Sequence, residues 1–290
     1  MRNLLLDGLV VLNRPEQFQL LEDAIDVFTP SPSVTRLLVR GSLAAGTADR
    51  LSNIDIVVGV VDDDYVAFVS VLDALMMAEL HAIMPGWRDT DVGDLGGLGY
   101  VFLVACQERL RQLDIYAVPE SILDQNVVSA RPVFTRAGID VSLSSREAMA
   151  FVTRTAAEAR TCGELLIEIM VQGFLIRKRI IRRQRFAAYH ETHVFNSAVK
   201  NLVKAALAPD SRDRGWHNLH TEIGSTPMGK RCLADLDALV SGPAVPTIES
   251  LDRGIGAAIA LAERAAPEAV EKLRKSIDAY LEYMELLRPL

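Results

Sequence analysis

The sequence predicts an α/β domain followed by an all-α helical-bundle domain. Three observations lead there. The first half alternates segments of helical and strand periodicity, as layered helices and sheet do. From about Ser144 the pattern turns almost wholly helical. The 290 residues exceed one average core and suit two domains of roughly 150 residues each. The expected division is 1–143 and 144–290.

Each element follows from local pattern. Asn13-Arg14-Pro15-Glu16 reads as a helix start, with Asn13 as N-cap and Glu16 closing a capping box. Phe18, Leu21, Ile25 and Phe28 follow at helical spacing until Pro30 and Pro32 stop the run. Residues 35–39 read as a strand that delivers Gly41-Ser42 into a turn, and mostly small residues fill 43–48. Residues 54–61, rich in Ile and Val, form a second expected strand. A helical pattern over 65–81 precedes a loop carrying Pro85, Gly86, Gly93, Gly96, Gly97 and Gly99. Residues 100–105 and 113–118 read as two more strands joined by a short polar link, and Pro119 closes the last. Ser144-Ser145-Arg146-Glu147 is a second capping-box pattern, at the head of the helical half. The final helix, from about Pro267, sets Val270, Leu273, Ile277, Tyr280, Met284 and Leu287 on one face.

Composition narrows the function classes. Lys and Arg number 31 against 38 Asp and Glu, a net charge of −7. That balance disfavours a general nucleic-acid binder. No apolar run reaches the roughly 18 residues a membrane span needs. The N-terminus lacks the sustained apolar core and small-residue cleavage site of a signal peptide. A cytoplasmic protein without a membrane partner is therefore expected. Cys106, Cys162 and Cys232 lie far apart, which argues against a disulfide framework and against a Cys-based zinc site.

The chemistry concentrates in one segment. Arg40-Gly41-Ser42 is followed, ten residues on, by Asn53-Ile54-Asp55-Ile56. Glycine lets a phosphate approach the backbone, and serine offers it a hydroxyl. Positions 53 and 55 share one face of a strand. Acidic groups there would hold Mg²⁺, which takes oxygen ligands and bridges substrate phosphates. Asp114, within Gln112-Leu113-Asp114-Ile115-Tyr116, brings a further carboxylate on a later strand. Carboxylates on neighbouring strands suit metal-assisted in-line phosphoryl transfer.

This pattern of apolar strand, Gly-Ser, about ten residues, then acidic-apolar-acidic resembles the DNA polymerase β-like nucleotidyltransferase superfamily. The motif match spans roughly residues 35–118. The chain length and helical second half look like the aminoglycoside nucleotidyltransferases of the streptomycin adenylyltransferase type. The resemblance implies a nucleotidyltransferase domain over 1–143, a mixed sheet with helices, and a helical substrate-binding domain over 144–290. It implies that Arg40, Gly41 and Ser42 meet the nucleotide, and that Asp55, Asn53 and Asp114 stand at the metal positions. Asp55 would be a metal ligand. Asp114 would be a third ligand or the base that takes the acceptor's proton. Mg²⁺ and ATP would be the cofactor and co-substrate, and AMP would pass to a hydroxyl of a small aminoglycoside-like acceptor, releasing pyrophosphate. The sequence departs from the family at Asn53, which stands where the first carboxylate is expected and carries no charge. Either the enzyme would work with one tightly held metal, or a nearby acid such as Asp49 would substitute. The alternative is a fold that binds a nucleotide without transferring it. A third class, an RNA-nucleotidylating toxin, rests on the basic run at 177–185 alone.

Other candidates have structural explanations of equal or greater weight. Arg177, Lys178, Arg179, Arg182, Arg183 and Arg185 put six cations in nine positions, a phosphate clamp or, more simply, a solvated helix face. His190/His193 and His217/His220 are His-x-x-His pairs, expected as surface histidines rather than a metal site. Glu147, a general-base candidate, is explained by its capping position, while Glu164 and Glu168 are spaced four apart on a helix, so that either could face a cleft. Trp87 and Trp216 would stack on a ligand or pin their loops. Asp62-Asp63-Asp64 is expected as a turn.

Overall fold

The computed structural model describes residues 17–89, 95–126, 130–138, 146–211 and 215–286. The expected caps at Asn13–Glu16 and Ser144-Ser145, together with Gly93 and Leu287, lie outside the described residues. The protein is mixed α/β, with a six-stranded mixed sheet. The chain divides into two compact units, Met1–Glu158 and Ala159–Leu290.

The first unit is built on the sheet. Helix α1 (Phe18–Phe28) leads into strand β1 (Val34–Arg40), and a short helix α2 (Gly41–Ala45) leads on toward β2 (Ile54–Val60). Helix α3 (Tyr65–Glu79) precedes β3 (Trp87–Asp89), β4 (Leu98–Cys106) and β5 (Arg109–Pro119). Helix α4 (Glu120–Asn126), strand β6 (Arg131–Thr135) and helix α5 (Arg146–Ala157) complete it. The strand order is β3-β4-β5-β2-β1-β6. Among the described strands only the β2–β5 pair is parallel; the other pairs are antiparallel.

Strand alternation sorts the two faces. On one face Leu37, Val39, Ile54, Ile56, Val58, Leu113, Ile115 and Ala117 join Phe18, Leu21, Phe28, Phe68 and Leu72 of α1 and α3 in the main core. On the other, Leu38, Val57, Val118 and Leu123 form a smaller cluster under α4. The same face carries the polar positions of β2 and β5 described below. Gln107 and Glu108 both take left-handed φ angles, 49° and 60°. That is the two-residue hairpin turn whose twist matches its flanking strands.

The structure corrects several sequence expectations. Gly41-Ser42 opens a short helix rather than a plain turn. The glycine-rich loop contains β3, and Gly99 lies within β4. Strand β6 and helix α4 were not anticipated. Pro132 explains the first: proline cannot donate to a ladder, and here it sits on an edge strand, where that is tolerated. Residues 146–157 were expected in the helical half, yet they pack on the first unit. Ala148 and Val152 enter its core, and Phe151 meets Tyr65 edge-on at 6.3 Å. Arg88 of β3 donates to the carbonyls of Thr155 and Glu158.

In the second unit every described element after Ala159 is helical. The longest are α6 (Cys162–Ile181) and α7 (Arg185–Leu207), which pack on each other. Then come α8 (Leu219–Ile223), α9 (Pro227–Val240), α10 (Ile248–Ala265), α11 (Pro267–Lys272) and α12 (Arg274–Leu286). The expected single last helix is thus broken near Leu273, though Val270, Ile277, Tyr280 and Met284 are buried as its periodicity requires. No helix among the described residues is long and apolar enough to cross a membrane, and no disulfide joins the three cysteines.

Candidate active site

The site assembles where β1, β2 and β5 lie side by side. In the parallel β2–β5 ladder Asp55 stands directly opposite Asp114, and in the antiparallel β1–β2 ladder Arg40 stands opposite Asp55. Residues in register on neighbouring strands point to one face. Arg40, Asp55, Gln112, Asp114 and Tyr116 therefore form one polar patch.

Asn53 joins the two carboxylates. Its amide nitrogen donates to Asp55 Oδ1 at 2.8 Å and to Asp114 Oδ2 at 2.6 Å. One neutral side chain thus bridges the two carboxylates. Asp114 is buried, and Gln112 Nε2 donates to both of its oxygens at 2.9 Å. Each such bond to a charged acceptor is worth about 1.5–3 kcal/mol, less where water competes.

Tyr116 frames the far side of Asp55, its hydroxyl directed at Oδ1 across 3.4 Å. Burial pushes the phenol well above its ordinary range, and the charges of Asp114, Asp55 and Asp89 push it the same way against Arg40. The phenol therefore stays a proton donor. The Arg40 guanidinium lies 5.5 Å from the centre of the Tyr116 ring, a cation–π contact that holds the cation beside the carboxylates.

Gly41 completes the geometry. Its φ is +65°, a conformation side chains resist, and a Cβ there would lie 2.3 Å from Asp55 Oδ2. Only glycine lets the carboxylate rest against this backbone. Ser42, half-buried at the start of α2, makes no side-chain hydrogen bond with any described residue. Gly41→Ala is expected to cost about 1–2 kcal/mol from the left-handed backbone alone. It also displaces Asp55, so a thermal melt of the variant should fall by several degrees.

The structure brings Arg40, Gly41, Asn53, Asp55 and Asp114 together, with Ser42 next to Gly41 in the chain. It uses Asp49 elsewhere: that carboxylate accepts from Leu51 N and Ser52 Oγ and closes its own turn. Gln112 and Tyr116 were missed as site residues. Their place two residues either side of Asp114 on a strand was the available signal.

The other candidates resolve structurally. Asp62 accepts from the backbone and hydroxyl of Ser121, at the start of α4. Trp87 is buried in β3. Glu164 forms a capping box with Thr161. Glu168 is buried against Arg160, and that burial raises its carboxyl above the usual range while Arg160 opposes the shift. Trp216 lies 5.2 Å from the Lys200 ammonium. All four paired histidines are exposed, as is Glu147. No group of three or more His, Cys, Asp or Glu among the described residues is arranged to hold a metal.

The basic run is a solvated face only at its C-terminal end, where Arg183 and Arg185 are exposed. Arg177 is 1 % exposed and donates to Asp252 and to the carbonyl of Met284. Lys178 is also buried, and Arg179 donates to Glu191 at 2.8 Å. The run crosses a helix break, with Arg183 at a φ of 57°.

No family model matches the chain, and no curated protein matches it.

Proposed function

We propose that the first unit is a nucleotidyltransferase domain that binds a nucleoside triphosphate, most simply ATP, with Mg²⁺ and transfers its nucleotidyl group to a hydroxyl of a small molecule. The observation that carries this reading is the opposed pair Asp55 and Asp114, set against the Gly41 backbone and joined by Asn53. A family resemblance in the Gly41-Ser42 to Asp55 spacing supports the same reading.

In the proposed reaction the acceptor hydroxyl oxygen attacks the α-phosphorus, the bond to pyrophosphate breaks in line, and the hydroxyl proton is lost to solvent. Arg40 and the backbone at Gly41-Ser42 orient the phosphates, with the Ser42 hydroxyl as a donor. Asp114 already accepts amide donors on both oxygens. That favours a fixed negative charge over a base that must take up a proton. Tyr116 keeps Asp55 oriented through its hydroxyl.

The residues suit Mg²⁺ in part. Asp55 and Asp114 would hold it, and Asn53 would add an oxygen once its amide turns. The ion would neutralise the triphosphate and polarise the reacting phosphate. Mg²⁺ commonly binds through one or two carboxylates completed by substrate phosphates. Two carboxylates and one neutral amide therefore favour Mg²⁺ entering with the nucleotide, not ahead of it.

Asn53 also motivates a second reading, a nucleotide-binding domain without transfer. An RNA acceptor draws little support, because two cations of the basic run are buried. The discriminating assay is pyrophosphate release from MgATP with a panel of small hydroxylated acceptors. The transferase reading expects acceptor-dependent release that falls about 10²–10⁴-fold in Asp114→Asn, the range typical when a catalytic group is lost. MgATP binding without release for any acceptor would favour the binding domain.

A further inference from the structure

The helical unit holds a cleft of about 250 Å³ between α7 and the loop that joins α9 to α10. Its volume is below the roughly 300–1,000 Å³ of sites for drug-sized ligands, so its occupant is one or two rings. Ile176, Phe195 and Leu251 supply an apolar floor. Pro243 and Pro246 also line the cleft, as does Tyr189, which is 56 % exposed.

Three of the polar groups come from one helix face. Tyr189, His193 and Asn196 follow at helical spacing along α7, and all three line the cleft. None of them makes a side-chain hydrogen bond with any described residue. Asn196 is half-buried, and its amide offers two donors and an acceptor. The hydrogen-bonding capacity of that amide is left to water or to whatever occupies the cleft.

The lining contains no Asp, Glu, Lys or Arg. Buried carboxylates elsewhere in this unit are already committed: Glu168 to Arg160, Glu191 to Arg179, Glu222 to Lys204. A polyamine or other polycation would find no counter-charge in the cleft. We infer that this cleft binds a neutral planar ring bearing an amide-type edge, stacked against Tyr189 and read by Asn196. Such a site would operate whether or not the first unit transfers nucleotides.

Saturation-transfer NMR on the full chain tests this, with nicotinamide and uracil as neutral probes, and benzoate and spermidine as charged controls. Both neutral rings are expected to receive saturation and to compete with each other, while the controls do not. Asn196→Leu and Tyr189→Ala are each expected to weaken the signal at least about fivefold with the melting profile kept. Asp55→Asn should leave it unchanged, which separates this site from the proposed nucleotide site. Absence of transfer to either ring, transfer undiminished in both cleft variants, or preference for spermidine would overturn the inference.

Discussion

Asn53→Asp is expected to lower the thermal stability of the protein in EDTA and to make it responsive to Mg²⁺. The substitution removes the two amide bonds to Asp55 and Asp114 and sets a third negative group within hydrogen-bonding distance of both. Like charges at that range disfavour the ionised forms strongly. Two bonds to charged acceptors at about 1.5–3 kcal/mol each, discounted for partial exposure, leave a loss of roughly 3 kcal/mol. For a chain of this size that is a fall on the order of 10 °C. Mg²⁺ at about a hundred times its dissociation constant returns roughly 2.7 kcal/mol. The variant should therefore regain most of its melting temperature in millimolar Mg²⁺, while the wild type shifts little. A variant that melts alike in EDTA and in Mg²⁺ would contradict the view that Asn53 stands in a cation's place.

Arg177→Ala is expected to cost about 3–5 kcal/mol, the range seen when one member of a buried ion pair is removed. The side chain is among the largest fully buried in the chain. Its loss leaves the Met284 carbonyl and Asp252 without the guanidinium, and a void that the surrounding helices fill only in part. Arg183→Ala, at an exposed position of the same run, should stay within about 0.5 kcal/mol. Differential scanning calorimetry of the two variants separates a structural arginine from a phosphate clamp. An unperturbed melt for Arg177→Ala, coupled with weaker triphosphate binding, would favour the clamp.

The contrast between these two arginines shows where sequence reasoning reaches its limit. A charged residue defaults to the surface, and nothing local distinguishes Arg177 from Arg183. Asp252 and Met284, its partners, lie far along the chain and are invisible to periodicity. The same holds for the end of the first unit. The amphipathic pattern of 146–157 declares a helix but not which core it joins, and that is decided by Tyr65 and Arg88. Strands β3 and β6 escaped because one is three residues long beside glycines and the other carries Pro132.

The site was more legible. Period-two alternation fixes which side chains share a sheet face, so Asp55 and Asp114 were expected together, and they stand in register. Glycine at position 41 was singled out for the approach of a phosphate, and in the structure it is the Asp55 carboxylate that rests against it. What no pattern could give is the direction of the Asn53 amide. Its nitrogen, not its oxygen, faces both carboxylates, which makes the resting site an amide-bridged pair.

Titration calorimetry of the wild-type chain with ATP, with and without Mg²⁺, tests the central proposal most directly. Saturable binding is expected only when ATP and Mg²⁺ are present together, and it is expected to be lost in Asp55→Asn. Mg²⁺ alone should give no measurable heat. Absence of ATP binding in saturating Mg²⁺, or binding that Asp55→Asn leaves intact, would contradict a triphosphate site at Gly41, Asp55 and Asp114.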